Sequence, residues 1–217
     1  MTVDRDASIR AAILPKLHTL VALEADCLLI EELGIDHGRS RIDIAAMGSF
    51  VYGFEIKSAS DSLSRLPRQI ALYDTLVDFS YLVVAAKHFD QALSKTPSHW
   101  GIILAEERPD DIHFRVMRPG KRNLTRKLES LAKLLWRDEA LAVLVSLGLD
   151  RGFRGKPARI LHSRLASVMD LDALSAAVLK HVQRRTNWGD RQSKPISLCC
   201  MNFNASEAAG SAMKCAS

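Results

Sequence analysis

The 217-residue chain carries 47% hydrophobic and 25% charged residues, the proportions of an ordinary globular protein. At a soft prior of about 150 residues per domain it accommodates one domain with appendages or two small ones. Charges interrupt every apolar run before the ~18 residues that a membrane-spanning helix requires. The start, Met1-Thr2-Val3-Asp4-Arg5-Asp6, lacks the basic-then-apolar layout of a secretory signal, so no membrane association and a cytoplasmic location are expected.

The net charge of +5 is unevenly divided: residues 1–115 hold 12 basic and 17 acidic side chains, and residues 116–217 hold 18 and 8. An acidic half joined to a basic half suggests two roles, one of them holding a polyanion; Lys/Arg-rich helical surfaces also serve solubility alone. Cys27, Cys199, Cys200 and Cys215 form no Cys-x-x-Cys pair. That points away from a disulfide framework or zinc site and toward a reducing compartment.

In chain order, Ile9, Ile13, Leu17, Leu20, Val21 and Leu23 predict a helix over 8–26, kinked or split at Pro15. A strand follows over 27–33, and then a turn at Asp36-His37-Gly38-Arg39-Ser40. Segments 41–47 and 51–57, joined by Gly48-Ser49-Phe50, read as a β-hairpin. A helix is expected over 61–79 with Leu66, Ile70, Tyr73 and Val77 on one stripe, followed by strands over 81–86, 100–105 and 112–117. Residues 122–147 and 158–185 read as amphipathic helices with basic faces, separated by 151–157. Beyond Trp188 the composition turns to Gly, Ser, Asn and Ala, as in disordered chain. The expected organisation is an α/β core over 1–120, a helical basic extension over 121–188 packed on it, and a disordered tail over 189–217.

Strand alternation places Glu55 and Lys57 on one face, with Phe54 and Ile56 on the other. In Ile42-Asp43-Ile44, Asp43 likewise stands apart from its apolar neighbours. Hairpin pairing then lets Asp43, Glu55 and Lys57 converge. Charges inside apolar strands are costly unless paired or bound to a metal. Two carboxylates and an amine suit metal-assisted phosphodiester hydrolysis: hard oxygens for Mg²⁺, and a lysine to orient water and offset charge. The same spacing also arises as an exposed cross-strand ion pair of little value.

The stretch Arg41-Ile42-Asp43 … Gly53-Phe54-Glu55-Ile56-Lys57-Ser58 resembles the core motif of the PD-(D/E)XK nuclease superfamily. Gln69-Ile70-Ala71-Leu72-Tyr73 looks like the Gln-x-x-x-Tyr element of its RecB-like members. Glu32-Leu33-Gly34, Asp61 to Gln69 and Trp100-Gly101-Ile102 extend the resemblance, over about residues 8–190, to small bacterial and phage-associated proteins placed in that superfamily. Ile42 stands where the motif has proline.

The resemblance implies a restriction-endonuclease-like α-β-β-β-α-β core and Mg²⁺ or Mn²⁺ held by Asp43 and Glu55. Glu32 is the expected further ligand, ahead of Glu31 and Glu24. Lys57 would assist the water, and Gln69 would contact phosphate or steady Lys57. Tyr73 is expected to pack in the core, Asp61 to cap the following helix, and Ser58 to serve either role. DNA is the expected partner. Arg65 and Arg68 lie near the site, and Lys121, Arg122, Arg126 and Lys127 lead a basic surface that continues through Arg151, Arg154, Lys156, Arg159, Arg164, Arg184 and Arg185. The histidines are read as structural, with His37 nearest the site. A catalytically silent nuclease-fold protein that binds nucleic acid or a partner protein in a phage or mobile-element system is the rival reading. A homodimer or an accessory partner is compatible with either.

Overall fold

The computed structural model describes residues 5–24, 27–35, 40–185 and 196–197. Its strands are β1 (Leu28–Ile35), β2 (Ser40–Met47), β3 (Val51–Lys57), β4 (Phe79–Ala85), β5 (Gly101–Glu107), β6 (Ile112–Arg118) and β7 (Ile196–Ser197). They form one mixed sheet in the order β6-β5-β4-β3-β2-β1-β7. The first three pair antiparallel as a meander, β3, β4 and β5 run parallel, and β6 returns antiparallel on β5. Parallel neighbours need a crossover. The one after β3 carries α3 (Leu66–Tyr73), and the one after β4 carries α4 (Phe89–Lys95).

Both sheet faces are covered, as long apolar strands require. On one face Tyr52, Phe54 and Ile56 of β3, with Tyr81 and Val83 of β4, pack against Ile9, Ile13, Leu14 and Leu17. Those four belong to α1 (Arg5–Ile13), a 3₁₀ turn at Leu14–Lys16 and α2 (Leu17–Val21). On the other face Leu82, Val84 and Ile102 meet Leu66, Ile70 and Tyr73 of α3. The same cluster takes in Leu131, Leu144, Leu161, Leu165, Leu174 and Val178 of α5 (Leu128–Ala132), α6 (Arg137–Ser146), α7 (Ala158–Val168) and α8 (Leu171–Gln183). The C-terminal helices thus share a core with the sheet.

Several elements differ from expectation. Pro15 sits in the 3₁₀ turn that separates α1 from α2. The helix expected over 61–79 is confined to a 3₁₀ turn (Leu63–Arg65) and α3, although Val77, beyond its end, is still buried. Helix α4 had too short an apolar pattern to be read. The helix expected over 122–147 divides because Asn123 N–H and Lys127 N–H donate to the carbonyls of Asp78 and Thr75, holding 121–127 extended. Glu139 then accepts from the Trp136 N–H at 2.7 Å to start α6. The helix over 158–185 breaks at Met169, and Asp170 caps α8 by accepting from Ala173 N–H at 2.8 Å. The tail expected to be disordered contributes β7 to the sheet edge beside β1; the rest of 189–217, Trp188 and residues 36–39 with His37 lie outside the described residues. No helix among the described residues is long and apolar enough to cross a membrane.

Candidate active site

The β2–β3 ladder runs from Met47/Val51 to Ile44/Phe54, and the next pair in that register is Asp43 and Glu55. The ladder ends there: Ile56 N–H donates instead to Asp43 Oδ2 at 2.8 Å, so a side chain stands where a carbonyl would continue the sheet. On the other side of Asp43, in the β1–β2 register, is Glu32. Its φ of +52° lies in the left-handed region, uncommon for a residue with a side chain. Ile30 and Ala45 face the α3 side of the sheet, and so do Leu33 and Ile42 three residues farther on. The alternation of faces therefore inverts in both strands at Glu32 and Asp43. Backbone of this kind costs on the order of 1–3 kcal/mol and tends to cluster at functional sites.

Glu55 is buried and collects donors from two elements. Lys57 Nζ lies 2.5 Å from its Oε1, and Gln69 Nε2 donates to the same oxygen. Tyr73 Oη donates to Oε2 at 2.8 Å. Gln69 and Tyr73 are i, i+4 neighbours and reach one carboxylate from one face of α3. Gly53 makes this approach possible, since a Cβ there would lie 3.0 Å from the Tyr73 ring. Trp100 backs that ring at a centroid distance of 5.3 Å. Burial, and then the adjacent Glu55, push the Asp43 carboxyl up to about 7. Burial, reinforced by Glu55, likewise raises the Tyr73 phenol well above its usual value, which keeps it a proton donor.

These groups line a polar cavity of about 480 Å³ whose wall also includes Glu32, Arg41, Asp61, Arg65 and Arg68. Arg65 and Arg68 are exposed on its rim. Asp61 does not cap the helix: it accepts from the Ser58 N–H and hydroxyl, both at 2.7 Å, and shapes the turn after β3. The cap is Ser62, which accepts from Ser64 N–H. Tyr73, expected only to pack, does so and also holds Glu55.

Of the three candidates for a further ligand, only Glu32 lines the cavity. Glu31 stands opposite Ile44, whose side chain packs on the α1 face. Glu24 accepts from Ser49 N–H at the far end of the hairpin. Glu32 itself is turned to two arginines, Arg10 at 2.5 Å and Arg41 at 3.4 Å. Accordingly, no group of three or more His, Cys, Asp or Glu among the described residues is assembled to hold a metal ion. Asp43 and Glu55 both line the cavity as hard oxygen donors, the type of ligand that a divalent cation takes.

The remaining basic residues lie elsewhere. Arg126, expected on a nucleic-acid surface, is buried, with Nη2 2.9 Å from Asp78 Oδ1, and Arg122 reaches the same oxygen at 3.3 Å. The backbones of Lys121 and Lys127 are tied to His99 and Thr75. Asp78 precedes β4, beside the first residue of β3, whereas Lys57 is the last. At about 3.3 Å per residue the two ends stand roughly 20 Å apart, and none of Lys121, Arg122, Arg126 or Lys127 lines the cavity. His88 and His162 are buried, and His162 contacts the Leu135 carbonyl. Sequence reasoning missed Arg10 and Arg41. Arg41 carries a signal, two residues before Asp43 in the same strand; Arg10 carries none, because helix packing alone brings it there.

Over residues 1–192 the chain matches the family described as Bacteriophage P4 protein cII. It is 23% identical over 183 residues to Protein cII of Enterobacteria phage P4, an alignment covering 83% of this chain and 67% of the relative. No solved structure matches this chain. With most of its length matched, the chain belongs to the Bacteriophage P4 protein cII family.

Proposed function

We propose that the cavity is a phosphodiester-hydrolysis centre acting on DNA, organised in the manner of the PD-(D/E)XK nucleases. The observation that carries this reading is that Asp43 and Glu55 line one cavity at the open end of the β2–β3 ladder, with Lys57 Nζ 2.5 Å from Glu55. The chain order of one helical segment, three antiparallel strands, a helix and a parallel strand supports it, being the order the motif's resemblance implies. Asp43 and Glu55 would hold Mg²⁺ or Mn²⁺, which supplies an acidified water and charge neutralisation at the phosphorus. Lys57 is placed to orient the attacking water and offset charge on the phosphate oxygens. Gln69 and Tyr73 fix the Glu55 carboxylate, and Arg65 and Arg68 offer the rim to flanking phosphates.

The test offers plasmid, single-stranded and branched DNA with Mg²⁺ or Mn²⁺ to the full chain. Asp43→Asn and Lys57→Ala should each lower cleavage by about 10²–10⁴-fold; cleavage persisting in both sinks the assignment. The pairing of Glu32 with Arg10 favours one second reading, a silent nuclease-fold protein that binds nucleic acid or a partner of a phage or mobile-element system. It predicts salt-sensitive DNA binding without turnover, unchanged in Glu55→Gln.

A further inference from the structure

Away from the cavity, one surface combines an open aromatic ring with cations that the fold does not use. Trp136 immediately precedes α6 and, among the described residues, is the only Phe, Tyr or Trp that is exposed, at 43%. Its ring is nevertheless held in place. The Arg185 guanidinium lies 4.4 Å from the ring centroid and is itself buried, with Nε 2.7 Å from Glu139 Oε1 and Nη2 2.6 Å from Oε2.

The connection from α6 to α7 returns to the same place, because Arg137, next to Trp136, donates through Nη2 to the Arg154 carbonyl. Residues 150–164 hold Arg151, Arg154, Lys156, Arg159 and Arg164 against a single acid, Asp150. That acid is taken by Arg154, whose Nε lies 2.7 Å from it. Arg151, Lys156 and Arg159 are exposed and have no acidic partner among the described residues. A Cβ at Gly152 or Gly155 would meet no atom within 4 Å, so the loop backbone is also open to approach.

Helix stability does not account for these cations. Lys156 and Arg159 lie at the start of α7, where the helix dipole disfavours positive charge, and its first turn carries no acid to offset them. Solubility accounts for the charges but not for a fixed, exposed tryptophan among them. A nucleic-acid strand accounts for both: phosphates meet the cations, and a base with a free face stacks on the ring. Bases inside a duplex have no free face, so the ring selects an unpaired strand.

We propose that Trp136 and the 151–159 loop form a docking surface for single-stranded DNA, with one base on Trp136 and flanking phosphates on Arg151, Lys156 and Arg159. None of these residues lines the cavity of Asp43 and Glu55, so the strand is gripped beyond that site. The choice of DNA over RNA rests on the nuclease reading above.

Fluorescence anisotropy of a labelled oligothymidylate of about 15 nucleotides, titrated with the full chain in EDTA at several salt concentrations, tests it without reference to turnover. Trp136→Ala should weaken binding by about 5–150-fold, the loss of one stacked base, and Trp136→Phe should retain most of the affinity. Arg151→Ala, Lys156→Ala and Arg159→Ala should each lower the salt slope by about 0.7, and the three together by about 2. The combined variant changes only exposed side chains, so it decides the matter even where Trp136→Ala fails to fold. Unchanged affinity and slope in the combined variant, or tighter binding of oligouridylate, overturns this surface and leaves the nuclease reading to its own cleavage test. Binding of neither oligonucleotide overturns it in favour of an acidic protein partner. Loss of binding in the combined variant, with no form cleaving DNA in Mg²⁺, upholds the surface and sinks the nuclease reading.

Discussion

Two buried carboxylate sites at opposite ends of the same parallel strand pair have opposite characters. At the start of β3 and β4, Asp78 is closed. Its Oδ2 accepts from Val51 N–H at 2.9 Å, and its Oδ1 meets Arg126 at 2.9 Å and Arg122 at 3.3 Å. Asn123 stitches the same corner by donating to the carbonyls of Asp74 and Val77. Both oxygens of Asp78 and the Asn123 amide nitrogen are engaged within the fold, and the result is a fastening that holds the 121–127 segment to the sheet. At the other end, Asp43 and Glu55 line a cavity, the strands part, and Glu32 holds a left-handed backbone. The Asp43 carboxyl is raised to about 7, chiefly by burial and then by the neighbouring Glu55, so its ionised form is under strain. Burial of charge alone therefore does not mark function. What distinguishes the second end is a carboxyl raised by burial and by a neighbouring carboxylate on the wall of an open cavity, a combination that favours a functional reading.

Substitutions can break or sharpen this contrast. The largest stability effect is expected at the closed end. Asp78→Ala leaves Arg126 buried without its partner and should destabilise the protein by about 3–5 kcal/mol in denaturant unfolding; a loss no greater than that of an exposed pair would remove the contrast. Asp43→Asn should act in the opposite direction. A carboxyl raised from 3.8 to about 7 contributes stability that is complete at low pH and lost as pH rises through the folded value. The asparagine avoids that loss and can still accept from Ile56 N–H. It should therefore stabilise the protein by about 1–3 kcal/mol at pH 8 and by little at pH 4. An equal gain at both pH values refutes the account. Smallest is Arg68→Ala on the rim, which should change stability by less than about 0.5 kcal/mol. It should lower the salt slope of DNA binding by about 1, whereas Arg122→Ala at the closed end should leave that slope unchanged.

The sheet was largely legible, and for a physical reason. The hairpin strands 41–47 and 51–57 are apolar runs interrupted by isolated charges, and the short Gly48-Ser49-Phe50 connection fixes their register. Once register is fixed, Asp43 must stand across from Glu55, and alternation puts Lys57 with Glu55. Gln69 and Tyr73 were legible as an i, i+4 pair, but the hydroxyl of Tyr73 was not. Nothing local distinguishes a tyrosine that only packs from one that also donates. Arg10 was illegible because its place depends on how α1 lies over the sheet. The positive φ of Glu32 is also invisible in a sequence, where a glutamate gives no hint of left-handed backbone. The C-terminal helices were over-extended because periodicity continues across breaks made by tertiary hydrogen bonds, such as those from Asn123 and Lys127 to the turn before β4. Arg126 reads from sequence as part of a nucleic-acid surface because a charge run looks solvated unless its buried partner, here Asp78, is known.

The bond from Ile56 N–H to Asp43 Oδ2 makes the sheet carry a gauge of its own site. That amide has a carboxylate for its acceptor, so its protection against deuterium exchange follows whatever happens to Asp43. A ligand that draws the carboxylate away must free the amide, while one that leaves it in place must not. The exchange rate of this single proton reads the state of the cavity without a substrate, a label or a reaction.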